Sequence, residues 1–248
     1  MPDTTAIVRR PEQEPGDPVA PGVTAARMLT DEHGCRGLHQ RRLRFTSGAA
    51  LTGTAGGRGE AWYVISGSGV LEAGADGAGA DGAGGTVRVD GADERVALAP
   101  GTAVWLEPGL GYRVGAASDL EVLAITVRAE AREGPGLHAV RLEDCAVERT
   151  GDREFRVLLS AGLSITQFNG LIPPGRAPEH EHTYDEVVHV LAGQGVVHLD
   201  GAQTGIGPGT SVYLPPYQPH CLENTGSEPL RVLGIFYPAG SPAAKQTT

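Results

Sequence analysis

Three histidines and one glutamate carry the chemistry legible in this chain. They lie in Gly175-Arg-Ala-Pro-Glu-His180-Glu-His182-Thr-Tyr-Asp-Glu186, which runs on to Gly193, and in a second block from Gly209 through Pro215 and His220 to Asn224. The spacing is G-x4-H-x-H-x3-E-x6-G, then G-x5-P-x4-H-x3-N. Three imidazoles and a carboxylate suit a divalent transition metal that keeps coordination positions open. Residues two apart on an extended strand share a face, so His180 and His182 can point into one cavity, and Glu186 has the same parity. His220 arrives from a later strand through the stiff Pro215-Pro216-Tyr217-Gln218-Pro219 turn. Four protein ligands on a six-coordinate ion would leave room for water, oxygen or a chelating substrate, which suits catalysis better than a sealed structural site.

These blocks resemble the two motifs of the cupin superfamily, small β-barrels that hold a metal with three His and one Glu. The usual first motif has one more residue between Gly and the first His, and the usual second has Gly where Tyr217 stands. Neither departure touches a ligand position. The resemblance implies His180, His182, Glu186 and His220 as ligands of one divalent transition metal per chain (Fe, Mn, Ni, Co, Cu or Zn).

The elements that must position these ligands come in two copies. Glu60-Ala-Trp-Tyr-Val-Ile-Ser-Gly67 aligns with Glu186-Val-Val-His-Val-Leu-Ala-Gly193, Gly101-Thr-Ala-Val-Trp-Leu with Gly209-Thr-Ser-Val-Tyr-Leu, and Glu121-Val-Leu-Ala-Ile with Arg231-Val-Leu-Gly-Ile. The offset falls from 126 to 108, a difference of 18 that the Gly/Ala/Asp-rich stretch around Ala73 to Gly85 accounts for. That stretch cannot bury a core and reads as a mobile loop; its likeness to calcium-binding glycine/aspartate repeats fails on spacing. Short apolar runs broken by Gly and Pro read as strands, helical periodicity is weak, and a short turn is expected near Ala25 to Thr30. The expected fold is all-β: two tandem cupin barrels of the double-stranded β-helix, or jelly-roll, type. The expected divisions are an N-terminal segment at 1–40, a degenerate N-terminal barrel at 41–131, a linker at 132–152, the metal-binding barrel at 153–239 and a tail at 240–248.

The first copy keeps only part of the site. Thr54 and Gly56 stand at the two His positions and Tyr112 at that of His220, and no histidine occurs from Arg41 to Arg128. Glu60 alone survives, so this barrel reads as structural, with Glu60, Trp62 and Tyr112 as core or as the lining of an organic-ligand cavity. His33 and His39 beside Cys35 lack the further partners a metal site needs. In two-barrel relatives N-terminal segments pair with the other barrel or another subunit, so a homo-oligomer such as a dimer is also expected.

Composition narrows the partners. Thirty acidic against twenty basic residues give a net charge of −10, which disfavours nucleic acid. Cys35, Cys145 and Cys221 form neither a disulfide framework nor a zinc motif, and Cys221 should turn away from the metal. Neither a signal-peptide core nor a membrane-length apolar run is present, so a soluble cytoplasmic protein with a small-molecule substrate is expected.

Beyond the ligands, Glu186 itself, Gln167 and Tyr184 are the catalytic candidates. Its parity could place Gln167 inward, opposite the metal, and Glu186 could shuttle protons if it loosens from the ion. His198, Tyr213 and Phe236 could reach the cavity, His189 should face away, and Arg176 could meet an acidic substrate. The expected function is a mononuclear metalloenzyme acting on a small oxygenated molecule, with a dioxygenase placed slightly ahead of an isomerase, decarboxylase or lyase. The alternatives are a metal-dependent binding or sensing protein, a structural or storage protein, and a hydrolase like ureidoglycine aminohydrolase. That last family shares the layout but carries Glu, His and Gln where His180, Glu186 and His220 stand here.

Overall fold

The computed structural model describes residues 6–35, 37–74, 94–129, 136–160 and 162–243. Among them the chain forms strands and three short 3-10 turns, with no α-helix. The strands of the first half are β1 (Ile7–Arg9), β2 (Asp17–Ala20), β3 (Val23–Leu29), β4 (Leu38–Phe45), β5 (Ala50–Thr54), β6 (Gly59–Ser66), β7 (Gly69–Ala73), β8 (Glu94–Leu98), β9 (Thr102–Leu106), β10 (Gly111–Ala116), β11 (Leu120–Val127) and β12 (Leu137–Arg141). The second half adds β13 (Glu148–Thr150), β14 (Arg153–Leu159), β15 (Thr166–Ile172), β16 (Gly175–Arg176), β17 (Asp185–Ala192), β18 (Gly195–Leu199), β19 (Ala202–Ile206), β20 (Ser211–Leu214), β21 (His220–Asn224) and β22 (Leu230–Tyr237).

Two compact units emerge, each made of a seven-stranded and a four-stranded sheet. The described residues within Pro15–Arg27 and Gln40–Glu143 form one, and those within Met1–Glu14, Met28–His39 and Asp144–Thr248 the other. The first has sheet orders β12-β9-β6-β11-β4-β3-β2 and β5-β10-β7-β8; the second has β1-β20-β17-β22-β15-β14-β13 and β16-β21-β18-β19. These orders correspond strand for strand except at one edge, where β12 follows its barrel in sequence and β1 precedes its own, so the repeat seen in the sequence is a repeat of architecture. Gly67 and Gly193 mark the same turn in each copy, at φ 82° and 87°. A Cβ on Gly67 would sit 1.9 Å from the carbonyl oxygen of Asp119, so only glycine fits there.

In each unit the two sheets face one another across an apolar core. Trp62, Val64 and Val104 meet Leu71, Val114 and Tyr112 in the first; Val188, Val212 and Val232 meet Val197, Ile206 and Leu222 in the second. These runs are rich in β-branched residues, whose side chains pack well on a pleated surface.

Two sequence expectations change. The turn expected near Ala25 to Thr30 is largely strand β3, in which Val23, Ala25, Ala26, Met28 and Leu29 are buried; burial on both faces outweighs alanine's weak strand preference. The stretch 132–152 carries strands among its described residues, with β12 antiparallel to β9 and β13 to β14. The N-terminal β1 pairs with β20, Ile7 opposite Tyr213. The Gly/Ala/Asp-rich stretch beyond Gly74 and the tail beyond Ala243 lie outside the described residues. No helix among those described is long and apolar enough to cross a membrane.

Candidate metal centre

Backbone pairing sets the ligands side by side before any side chain is considered. His180 and His220 exchange both backbone hydrogen bonds, at 3.0 and 2.9 Å. The Tyr217 N–H donates to the His182 carbonyl at 2.7 Å, tying the proline-rich turn to the first motif. That turn places Tyr217 at φ 63°, the left-handed region, with its ring 65% exposed. Glycine in the usual motif takes this conformation without a Cβ clash, whereas a tyrosine is strained by it.

One ring nitrogen from each of His180, His182 and His220 lies within 4.8 Å of the others. The Glu186 carboxylate joins them, with Oε2 3.3 Å from Nε2 of His182 and 3.2 Å from Nε2 of His220. His182, Glu186 and His220 are buried and His180 half-buried. The Nδ1 of His180 lies 3.0 Å from the Pro178 carbonyl and that of His220 2.8 Å from the Gln218 carbonyl. A carbonyl oxygen can only accept, so both Nδ1 atoms carry the proton and, in the neutral rings, both Nε2 atoms present lone pairs. Fixing a histidine through its other nitrogen is the usual support for a metal ligand.

The Nε2 atoms of His182 and His220 thus sit against a buried carboxylate oxygen, an arrangement that calls for a positive charge between them, from a proton or a bound cation. Burial alone would raise the Glu186 pKa, but His182 and His220 pressed against it hold it well below the usual carboxylate range. Burial pulls His220 down, yet Glu186 outweighs this and raises it. His180, desolvated and beside His220, falls to about 4 and stays neutral at physiological pH. Three imidazoles and a carboxylate converging in this way fit a divalent transition cation.

The ligands open onto a cavity of about 310 Å³ lined by residues of this unit alone, among them Phe155, Phe168, Ile172, Val188, Leu222 and Phe236. This is within the size range of small-molecule sites. Phe168 owes its position to Gly234, where a Cβ would come within 2.1 Å of the ring.

The remaining candidates divide by strand face. Phe236 lines the cavity as expected, and His189 turns away to meet Ser211 Oγ at 2.9 Å. Gln167 does not reach the site: Phe168, Gly170 and Ile172 take the inner face of β15, and Gln167 is buried on the other with no hydrogen-bond partner for its amide among the described residues. Tyr184 stands behind His182, rings stacked at 4.9 Å, and donates its hydroxyl to the Ser241 carbonyl at 3.3 Å. Burial and the charge of Glu186 push its pKa up to about 12, which suits a supporting ring better than a proton donor at the metal. Tyr213 bonds Asp185, His198 lies 2.7 Å from Glu223, and Arg176 points its Nε at Cys221 Sγ, 3.1 Å away. None of these three lines the cavity. The carbonyls of Pro178 and Gln218 went unread in the sequence, although each stands two residues before its histidine and beside a proline.

Residues 170–236 match the model of the Cupin domain family. The second unit of this chain therefore carries a Cupin domain. A stretch of 79 residues is 33% identical to an uncharacterized protein of Methanocaldococcus jannaschii, spanning 31% of this chain and 63% of that relative. Over the whole fold, oxalate decarboxylase from Bacillus subtilis, as a deletion mutant, superposes with a TM-score of 0.76 at 15% identity, covering 97% of this chain and 80% of that one. The protein Ylba from E. coli superposes with a TM-score of 0.73 at 16% identity, covering 94% and 91%. At such identities the likeness is one of fold, and it extends the cupin architecture to both units.

Proposed function

We propose that this cupin is a mononuclear metal-dependent enzyme acting on a small oxygenated organic molecule in its second barrel. The observation that carries the proposal is the convergence of His180, His182, His220 and Glu186 at an open, largely apolar cavity. A divalent ion held there supplies Lewis acidity to a bound oxygen atom. The chain holds the His180 and His220 imidazoles by their Nδ1–H bonds, would offset half the ion's charge with Glu186, and lines the approach with Phe168 and Phe236. One of the oxalate decarboxylase structures is described by its Mn(II) centres, which puts manganese first among the metals to test. It also moves decarboxylation and related lyase chemistry ahead of the dioxygenase reaction, for which neither the site nor the comparisons add support.

A second reading, metal-dependent binding without turnover, draws on one observation: neither Gln167 nor Tyr184 lines the cavity. The hydrolase alternative gains nothing, since His180, Glu186 and His220 occupy the three positions where that family differs. Elemental analysis of protein purified without added metal comes first. Metal-loaded and chelated samples should then be incubated with small oxo and hydroxy acids while dioxygen uptake and carbon dioxide release are followed. Metal-dependent turnover supports the enzyme, tight binding without turnover supports the second reading, and failure to hold any metal after reconstitution ends both.

A further inference from the structure

The cavity's far end says what shape of molecule the metal end would receive, an inference that rests on the reading just given. The lining includes one arginine, Arg153, at the start of β14 where the β13–β14 hairpin turns. Its neighbour Glu154 is engaged by Arg149, with contacts of 3.0 and 2.5 Å. Arg153 itself is half-buried and has no carboxylate partner among the described residues. An arginine turned to a cavity without a counter-ion is a natural anchor for a carboxylate.

Strand register places this anchor away from the metal. Glu186 pairs with Phe236, and Phe236 with Thr166 at the start of β15. Glu154 pairs with Leu171 near the other end of β15, which sets Arg153 beside the row of Ile172. At ~3.3 Å per residue the two rows are about 20 Å apart along the strands, less the reach of the arginine side chain. Between them the walls are Phe168, Ile172, Val188 and Val232, with Gly170 giving width.

We propose that the cavity binds an elongated molecule with three parts: an oxygen-donor head for the metal, an apolar body of aromatic or branched-chain size, and a carboxylate held by Arg153. A short diacid such as oxalate fills neither the apolar middle nor the far end. The inference thus separates this chain from the small substrate named for its fold neighbours.

The test is calorimetric binding to metal-loaded, anaerobic protein, with metal content measured on the same samples. The probes are 3-(3,4-dihydroxyphenyl)propionate, 4-methylcatechol (the same head without the carboxylate), 3-phenylpropionate (the carboxylate without the head) and oxalate. The dihydroxyphenyl acid should bind best, with 4-methylcatechol and oxalate each about tenfold weaker or more, the scale of one lost charged contact or one lost apolar body. Arg153→Gln, on a half-exposed hairpin and checked by an unchanged melting temperature, should weaken both carboxylated aromatic probes about tenfold and leave 4-methylcatechol and oxalate alone. Equal effects on all probes, no effect on any, or oxalate as the tightest ligand would overturn the inference. If the protein holds no metal, 3-phenylpropionate still decides: Arg153-dependent binding upholds the anionic end while the metal reading fails, and absence of such binding overturns both.

Discussion

Glu60 and Glu186 stand at the start of equivalent strands, β6 and β17, and both are buried, at 3% and 6% exposure. A carboxylate in such a place needs a cation, and the two barrels obtain it differently. In the first, Arg41 donates to both oxygens of Glu60 at 3.0 Å, and the Trp62 indole N–H adds a bond of 2.8 Å. Tyr112, at the position of His220, packs edge-on against Trp62 at 5.0 Å. Burial and the nearby Glu60 push its pKa up to about 12. In the second barrel His182 and His220 stand against Glu186 instead, and the proposed metal would supply the charge. Phe45 and Ile172 close the equivalent strands β4 and β15, and four residues before each stand Arg41 and Phe168. Where one barrel has a guanidinium, the other has a phenyl ring and a cavity. The first barrel thus lacks the histidines and supplies its buried carboxylate with a guanidinium of its own.

The largest effect expected from breaking this comparison is at the ligands. His182→Ala or His220→Ala should remove bound metal, while Glu60→Gln should leave metal content unchanged; elemental analysis of the three variants checks both halves. Arg41→Ala should then do to the first barrel what a chelator does to the second. It strands Glu60 and should cost about 2 kcal/mol, below the ~3–5 kcal/mol of a fully buried pair because Arg41 is partly open to solvent. Denaturant unfolding measures the loss, and the double variant Arg41→Met with Glu60→Gln should recover part of it. Gly234→Ala sharpens the contrast in cavity rather than charge. Its new methyl would force Phe168 inward, cost ~1–3 kcal/mol through overpacking and weaken aromatic ligands more than oxalate. The smallest effect is a gain: Tyr217→Gly should relieve the left-handed turn by ~1 kcal/mol and raise the melting temperature without altering metal content.

The repeat, the four converging ligands and the loss of the first site were legible because spacing encodes them directly. The wall of the cavity was less so, and the reason is physical. Alternation identifies the inner face of a strand only when the outer face is polar. Here β17 buries Val187 and His189 on one face as fully as Val188 and Val190 on the other, and β15 buries Gln167 as fully as Phe168. A buried polar amide on such a sheet can stand on either side, so Gln167 was assigned to the wrong one. Tyr184 misled differently: two residues from a ligand it shares the ligand's side, but its ring is spent on stacking. Arg41 gave no signal at all, because its partner lies nineteen positions on and nothing in local sequence announces a guanidinium standing in for an ion.

The pairing of Ile7–Arg9 with β20 also bears on the order of synthesis. β1 leaves the ribosome long before residues 211–213, its partners in the sheet. Until those emerge, β1 has no ladder of its own, and until β1 returns, β20 presents a bare edge on which another chain could template. Such a distant closure is slow. A fragment starting at Arg153 would keep every proposed metal ligand and still carry that open edge, so the half with the proposed metal site is not a portable half.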